Sequence, residues 1–157
     1  MLNKPFRAFR YLRLLRLIDC KSFFYLSIAK LCNITLPFRY YAPRLGQSYT
    51  ETLFTPETNN PRQLIELRRS IRRVARHLPW HTKCLDQAMA THWILSRRGF
   101  ASTLYFGVRK SEETKDLLDA HAWVRCGDVY VIGYQPLSQF TVVGSYAKLG
   151  GGLSVKV

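Results

Sequence analysis

The hydrophobic pattern of this 157-residue chain changes period once, at Gly99. Before that point apolar residues recur at three-to-four spacing, the mark of helices with one buried face. After it they alternate, the mark of strands. Helices in the first two thirds and an antiparallel sheet in the last third make an α+β chain. The clearest helix spans 61–77. Leu64, Leu67, Ile71 and Val74 form its apolar stripe, Asn60 is placed to cap it, Pro61 suits its first position, and Pro79 lies just beyond. A second helix runs from Thr82 or Lys83 to Arg98, with Leu85, Ala88, Met89, His92 and Leu95 on its stripe and Gly99 as its C-terminal cap. The strands expected after it are Ala101 to Val108, Ala120 to Val124, Val129 to Gly133 and Ser138 to Val143. A turn at Cys126-Gly127-Asp128 and a polar loop over 109–118 separate them.

The N-terminal third reads as two helices, Pro5 to Ile18 and Lys21 to Cys32, broken near Asp19 and Cys20 and ended by Leu36-Pro37. Arg7, Arg10, Arg13 and Arg16 recur on one face of the first, with Phe6, Phe9, Leu12, Leu15 and Leu17 largely opposite. Such a helix packs on its own domain or lies on a membrane surface, and packing is the favoured reading. The longest uncharged run of the whole N-terminal region, Ser22 to Ala29, is far short of the roughly 20 residues a bilayer span needs. The expected layout is a basic helical region over 1–45, a core over 46–149 with a loop or crossing segment at 42–60, and a flexible tail over 150–157.

The formal charge of +14 is concentrated: residues 1–50 carry nine Lys or Arg against Asp19 alone, and six arginines follow between 62 and 76. That field is either a solvated face or a docking surface for an acidic partner or peptide. No nucleic-acid-binding motif accompanies it, so nucleic acid is not expected. The cysteines, Cys20, Cys32, Cys84 and Cys126, form no C-x-x-C pair, and no histidine cluster has zinc spacing. No metal is expected, and isolated thiols suit the cytoplasm.

Cys84 differs from the other cysteines by position. It falls in the first turn of a helix, where free backbone N–H groups and the helix dipole concentrate positive potential. That environment favours the thiolate, the reactive form of cysteine, and supplies donors for a developing oxyanion. His121 lies in an apolar strand between two alanines. Strand parity puts it on one face with Trp123. A thiol at a helix head and an imidazole on a strand form the Cys–His pairing of nucleophilic catalysis, though a core histidine and a buried cysteine account for the same residues.

The run CLDQAMATHWIL-x3-GF-x3-LYFGV, followed by AHAWV-x3-D-x-YVIG, resembles the transglutaminase-like cysteine peptidases that mature lasso peptides. Upstream, LPFRYYAPRLG and SIRRVARHLPW are similar to the free-standing protease subunit of that family. The resemblance implies a transglutaminase-like, papain-like fold, with Cys84 as nucleophile and His121 as general base and acid, and needs no cofactor. It implies a ribosomal precursor peptide as substrate, whose leader is removed so that a separate ATP-dependent cyclase can close the core into a macrolactam. It further implies a small winged-helix partner that binds the leader in trans, and a small side-chain pocket for a threonine near the leader's end.

One feature departs from the family, which commonly completes a triad with an aspartate on the strand after the histidine. This chain has no Asp or Glu after Asp128. Asp128 itself sits at the hairpin tip, too far along the strand from His121 to hold its ring. The position aligned with the family's aspartate is Gly133. The expectation is that a neutral group, Gln135 or a backbone carbonyl, orients the ring. Trp80 and His81, just before the nucleophile, and Trp123 are expected near the cleft, with core packing the competing role for both tryptophans. Two other functions use the same features: acyl or amide transfer at the same Cys–His site, and a non-catalytic basic binding module.

Overall fold

The computed structural model describes residues 17–55, 61–111, 118–134 and 139–149. Its first helix, α1, is Leu17–Thr35 and runs unbroken through Asp19 and Cys20. This corrects the expected break. Asp19, Ser22, Leu26 and Ala29 are its buried residues, so Asp19 and Ser22 occupy the core-facing stripe as if they were apolar. They can do so because the helix over 61–77 supplies partners. Ser70 Oγ donates to Asp19 Oδ1 at 2.6 Å, Arg73 Nη1 donates to Oδ2 at 3.0 Å, and Ser22 and Ser70 hydroxyls meet at 2.8 Å. A buried carboxylate is tolerated where its lone pairs are filled. The helix expected over 5–18 lies outside the described residues except for Leu17 and Ile18, as does the tail over 150–157.

A short helix α2, Phe38–Tyr41, a 3-10 turn, Ala42–Leu45, and a two-residue strand β1, Gln47–Ser48, organise the segment expected as loop. Helix α3 is Pro61–His77, the range its pattern predicts; Asn60, the expected cap, lies outside the described residues. Helix α4 is Cys84–Arg97, and the chain leaves it through Gly99, with Phe100 N–H donating to Leu95 O at 3.0 Å. The remaining strands are β2, Ser102–Lys110; β3, Leu118–Cys126; β4, Val129–Ile132; and β5, Thr141–Lys148.

The five strands form one antiparallel sheet in the order β1-β5-β2-β3-β4. β5 extends five residues past the expected Val143, because Gly144 to Lys148 pair with the first half of β2. The alternating side chains of the sheet sort by face. Leu104, Ala122, Val124, Cys126, Val131 and Ile132 join Met89, Leu95, Leu26, Leu67 and Ile71 in one core, so the helices cover that face. Tyr105, Trp123 and Arg125 are buried on the other face. Arg125 pins the segment 51–54 there through Thr52 O at 2.8 Å and Leu53 O at 3.2 Å. Among the described residues no helix is long and apolar enough to cross a membrane.

His92 ties three elements together from inside the core. It is fully buried on α4. Its Nε2 must donate to Leu45 O at 2.7 Å, since a carbonyl only accepts, so Nδ1 accepts from Ser102 Oγ at 2.9 Å. Burial pushes its pKa down from 6.5 to about 4, against a smaller upward pull from the Leu45 carbonyl. Above pH 6.5 both folded and unfolded chains hold it neutral. Between 6.5 and about 4 the unfolded chain alone takes the proton, so stability falls as pH falls. We expect urea unfolding to lose roughly 3 kcal/mol from this group across that window. His92→Gln, which cannot protonate, should be weaker at neutral pH but lack this part of the decline. An equal acid decline in both proteins would clear His92 of it.

Candidate active site

Helix α4 packs its flank on the covered face of the sheet, and its first residue is Cys84. Placing a polar helix start inside a fold requires partners for its backbone, and Asp86 provides them. Its carboxylate is 1% exposed, and Oδ2 accepts from the Lys83 backbone N–H at 2.8 Å. Oδ1 accepts from Asn33 Nδ2 at 2.6 Å, and Asn33 Oδ1 accepts from Tyr41 OH at 2.5 Å. Lys30 Nζ stands 3.8 Å from Oδ2. Burial, with Cys32 and Asp86 nearby, pushes the Tyr41 phenol pKa up, so it stays a donor. The position of the thiol is therefore set by a chain of hydrogen bonds running into α1 and α2.

His121 sits on β3 three residues before the first ladder partner of β4, Val124, so the sheet is open beside it. There Cys84 and His121 line one cavity of about 230 Å³, with Arg72, Gln87, Ile132, Gly133 and Tyr134. The structure thus brings the two sequence-identified residues to a common space. Both are half-buried, open enough to meet a substrate. The imidazole Nε2 lies 2.7 Å from Gly133 O. Since that oxygen only accepts, Nε2 carries a proton, and in the neutral ring the lone pair then falls on Nδ1, the tautomer that can take a proton from a thiol.

The group that holds the ring is thus a backbone carbonyl, one of the two neutral groups expected to orient it. Gly133 has φ +77°, and a Cβ there would lie 2.5 Å from Ala122 O and 2.8 Å from Trp123 Cα. A side chain there would have to displace backbone, so sterics disfavour an aspartate at this position. Gln135, the other group expected to orient the ring, lies outside the described residues.

Trp123 is 3% exposed. Its ring stacks on Tyr105 with centroids 5.5 Å apart and lies 6.1 Å from the His121 ring. It crosses Gly107, whose missing side chain makes room, since a Cβ would fall 2.6 Å from the indole. Phe140 approaches the imidazole at 5.3 Å. Trp123 therefore backs the histidine and does not line the cavity. Trp80 and His81 line a neighbouring hollow, and the Trp80 Nε1 is buried without a hydrogen-bond partner among the described residues.

The sequence reading missed Arg72 and Gln87. Arg72 looked like one of many solvated arginines on α3, and no spacing relates it to Cys84. No group of three His, Cys, Asp or Glu among the described residues is placed to hold a metal ion.

The arrangement can perform acyl chemistry: a thiol at a helix head with free N–H groups nearby, and an imidazole whose tautomer is fixed. The family model described as the transglutaminase-like superfamily matches residues 32–145. No curated protein and no solved structure matches the chain. Gly133→Ala should destabilise the fold by about 1–3 kcal/mol in urea unfolding. It should also convert the His121 nitrogen signals at neutral pH from a single tautomer to a mixture. An unchanged tautomer in a folded Gly133→Ala protein would remove the carbonyl from its orienting role.

Proposed function

Since the chain belongs to the transglutaminase-like superfamily, we propose that it is a cysteine peptidase that removes the leader from a ribosomally made lasso precursor peptide. The observation that carries the enzymatic part is the shared cavity of Cys84 and His121, with the imidazole held by Gly133 O in the tautomer a base needs. The lasso assignment is supported by the motif resemblance around Cys84 and His121.

In this reading His121 Nδ1 takes the thiol proton and the Cys84 sulfur attacks the carbonyl carbon at the leader–core junction. Free N–H groups at the start of α4 stabilise the oxyanion. Collapse of the tetrahedral intermediate breaks the C–N bond, and His121 returns the proton to the leaving amine, which becomes the new N-terminus of the core. Water, deprotonated by the same imidazole, then hydrolyses the thioester. The carbonyl of Gly133 fixes the ring without the charge stabilisation that a carboxylate gives an imidazolium. A separate ATP-dependent cyclase would consume the freed amine, a winged-helix protein in trans would present the leader, and the cytoplasm would be the compartment.

Mixing the purified protein with a precursor peptide and its leader-binding partner tests this by product mass. Hydrolysis yields core with a free amine and leader with a free carboxylate, one water added in total. Amide transfer would instead leave the leader joined to an amine acceptor. We expect Cys84→Ala to abolish leader removal and His121→Ala to slow it by on the order of 10²–10⁴-fold. Leader removal at the normal rate by a Cys84→Ala protein would overturn the proposal.

A further inference from the structure

The cavity holding Cys84 and His121 is the middle of a longer depression. On one side it shares Arg72 and Gln87 with a hollow of about 700 Å³. On the other it shares His121 with a pocket of about 460 Å³. The two ends differ sharply in chemistry. The first is walled by Arg72, Arg76 and His81, and among the described residues neither arginine forms an ion pair; Arg76 Nε is turned onto the backbone carbonyl of Arg72 at 3.2 Å. The second is walled by Phe38, Tyr49, Leu85, Phe106 and Tyr146. Phe38 meets Phe106 and Tyr146 edge-on, with centroids 5.6 and 5.9 Å away, yet remains 40% exposed.

Tyr49 is the second, independent sign at the aromatic end. Its φ is +55°, the left-handed region that a bulky side chain avoids. Its N–H is held to Ser145 O at 2.8 Å. The ring is 84% exposed, so packing does not compensate for the strained backbone. Backbone strain retained at a pocket rim without a gain in burial marks a side chain kept for contact with something else.

We propose that this depression is one substrate groove with a fixed polarity, in which a peptide crosses Cys84 with an acidic residue at the Arg72–Arg76 end and a large apolar residue against Phe38 and Tyr49. Guanidinium groups without carboxylate partners at one end offer charge-assisted hydrogen bonds to a side-chain carboxylate. The aromatic walls at the other offer apolar area to a ring or branched chain. The inference rests on the reading of Cys84 and His121 as the reacting pair and adds to it the side chains that such a peptide carries on either side of the bond.

Binding to the Cys84→Ala protein tests the groove without requiring turnover. The probes are alanine–serine peptides carrying Phe at one end and Glu at the other, in both orders, with Phe→Ala and Glu→Gln controls, titrated by fluorescence anisotropy. One order should bind more tightly than the other, and each control should lose about tenfold in Kd, or about 1.4 kcal/mol. Adding Tyr49→Gly should remove the Phe preference and leave the Glu preference. Adding Arg76→Gln should do the reverse. Tyr49→Gly should also raise the melting temperature, since glycine relieves the strain, an outcome that separates lost contact from lost folding. Equal affinities for all probes, or a Tyr49→Gly protein that keeps the Phe preference, would overturn the groove. Selective binding by Cys84→Ala, with no cleavage of the precursor peptide by the unmutated protein in the presence of the leader-binding partner, would leave the groove standing and sink the peptidase reading instead.

Discussion

Everything in this molecule is arranged around the burial of helix α4. It packs against α1, α3 and the sheet at once, so Ala88, Met89, Ala90, Ile94 and Leu95 are removed from water, together with Thr91 and His92. A helix enclosed on so many sides must have its polar groups answered from within the protein. Asp86 answers the start through the Lys83 amide and Asn33, and His92 answers the middle by reaching Leu45 and Ser102. The helix start can then be held inside the fold. The position of Cys84 follows from how that helix is enclosed.

The imidazole is placed by an analogous constraint from the sheet side. β3 carries Ala122 and Val124 into the core on one face and Trp123 onto the other. His121 lies beyond the reach of the β4 ladder, where Gly133 turns the chain back toward it. A carbonyl there accepts from the ring at 2.7 Å, and the close approach of Gly133 to Ala122 and Trp123 crowds out a side chain. What a carbonyl lacks is negative charge. An aspartate in this place would both aim an imidazole and support its positive form, whereas a carbonyl only aims it.

The basic character of the chain also takes on structure. Arg73 is paired with Asp19 and Arg125 is buried in a web of carbonyls, so neither belongs to a diffuse cationic face. Arg72 and Arg76 stand differently, lining a hollow that shares Arg72 and Gln87 with the cavity of Cys84. Their positive potential draws acidic ligands toward that place.

The sequence by itself determined the change from helices to an antiparallel sheet at Gly99, the limits of α3 and, to within two residues, those of α4, and it singled out the proposed reacting pair, Cys84 and His121. These rest on local rules: periodicity, helix caps, and the special status of a thiol at a helix head. It misjudged Asp19 because a charged residue in an apolar stripe reads as a break until Ser70 and Arg73, fifty residues away, are seen to satisfy it. For the same reason it left the ring-orienting group open between Gln135 and a carbonyl. A backbone oxygen has no signature in a sequence, and whether it reaches an imidazole depends on the pairing of β3 with β4 and on the room that glycine leaves. Tertiary structure alone decided that Arg72 lines the cavity of Cys84 and His121, and that Phe38 and Tyr49 line a pocket that shares His121. They come from separate elements, and only their packing around α4 brings them together.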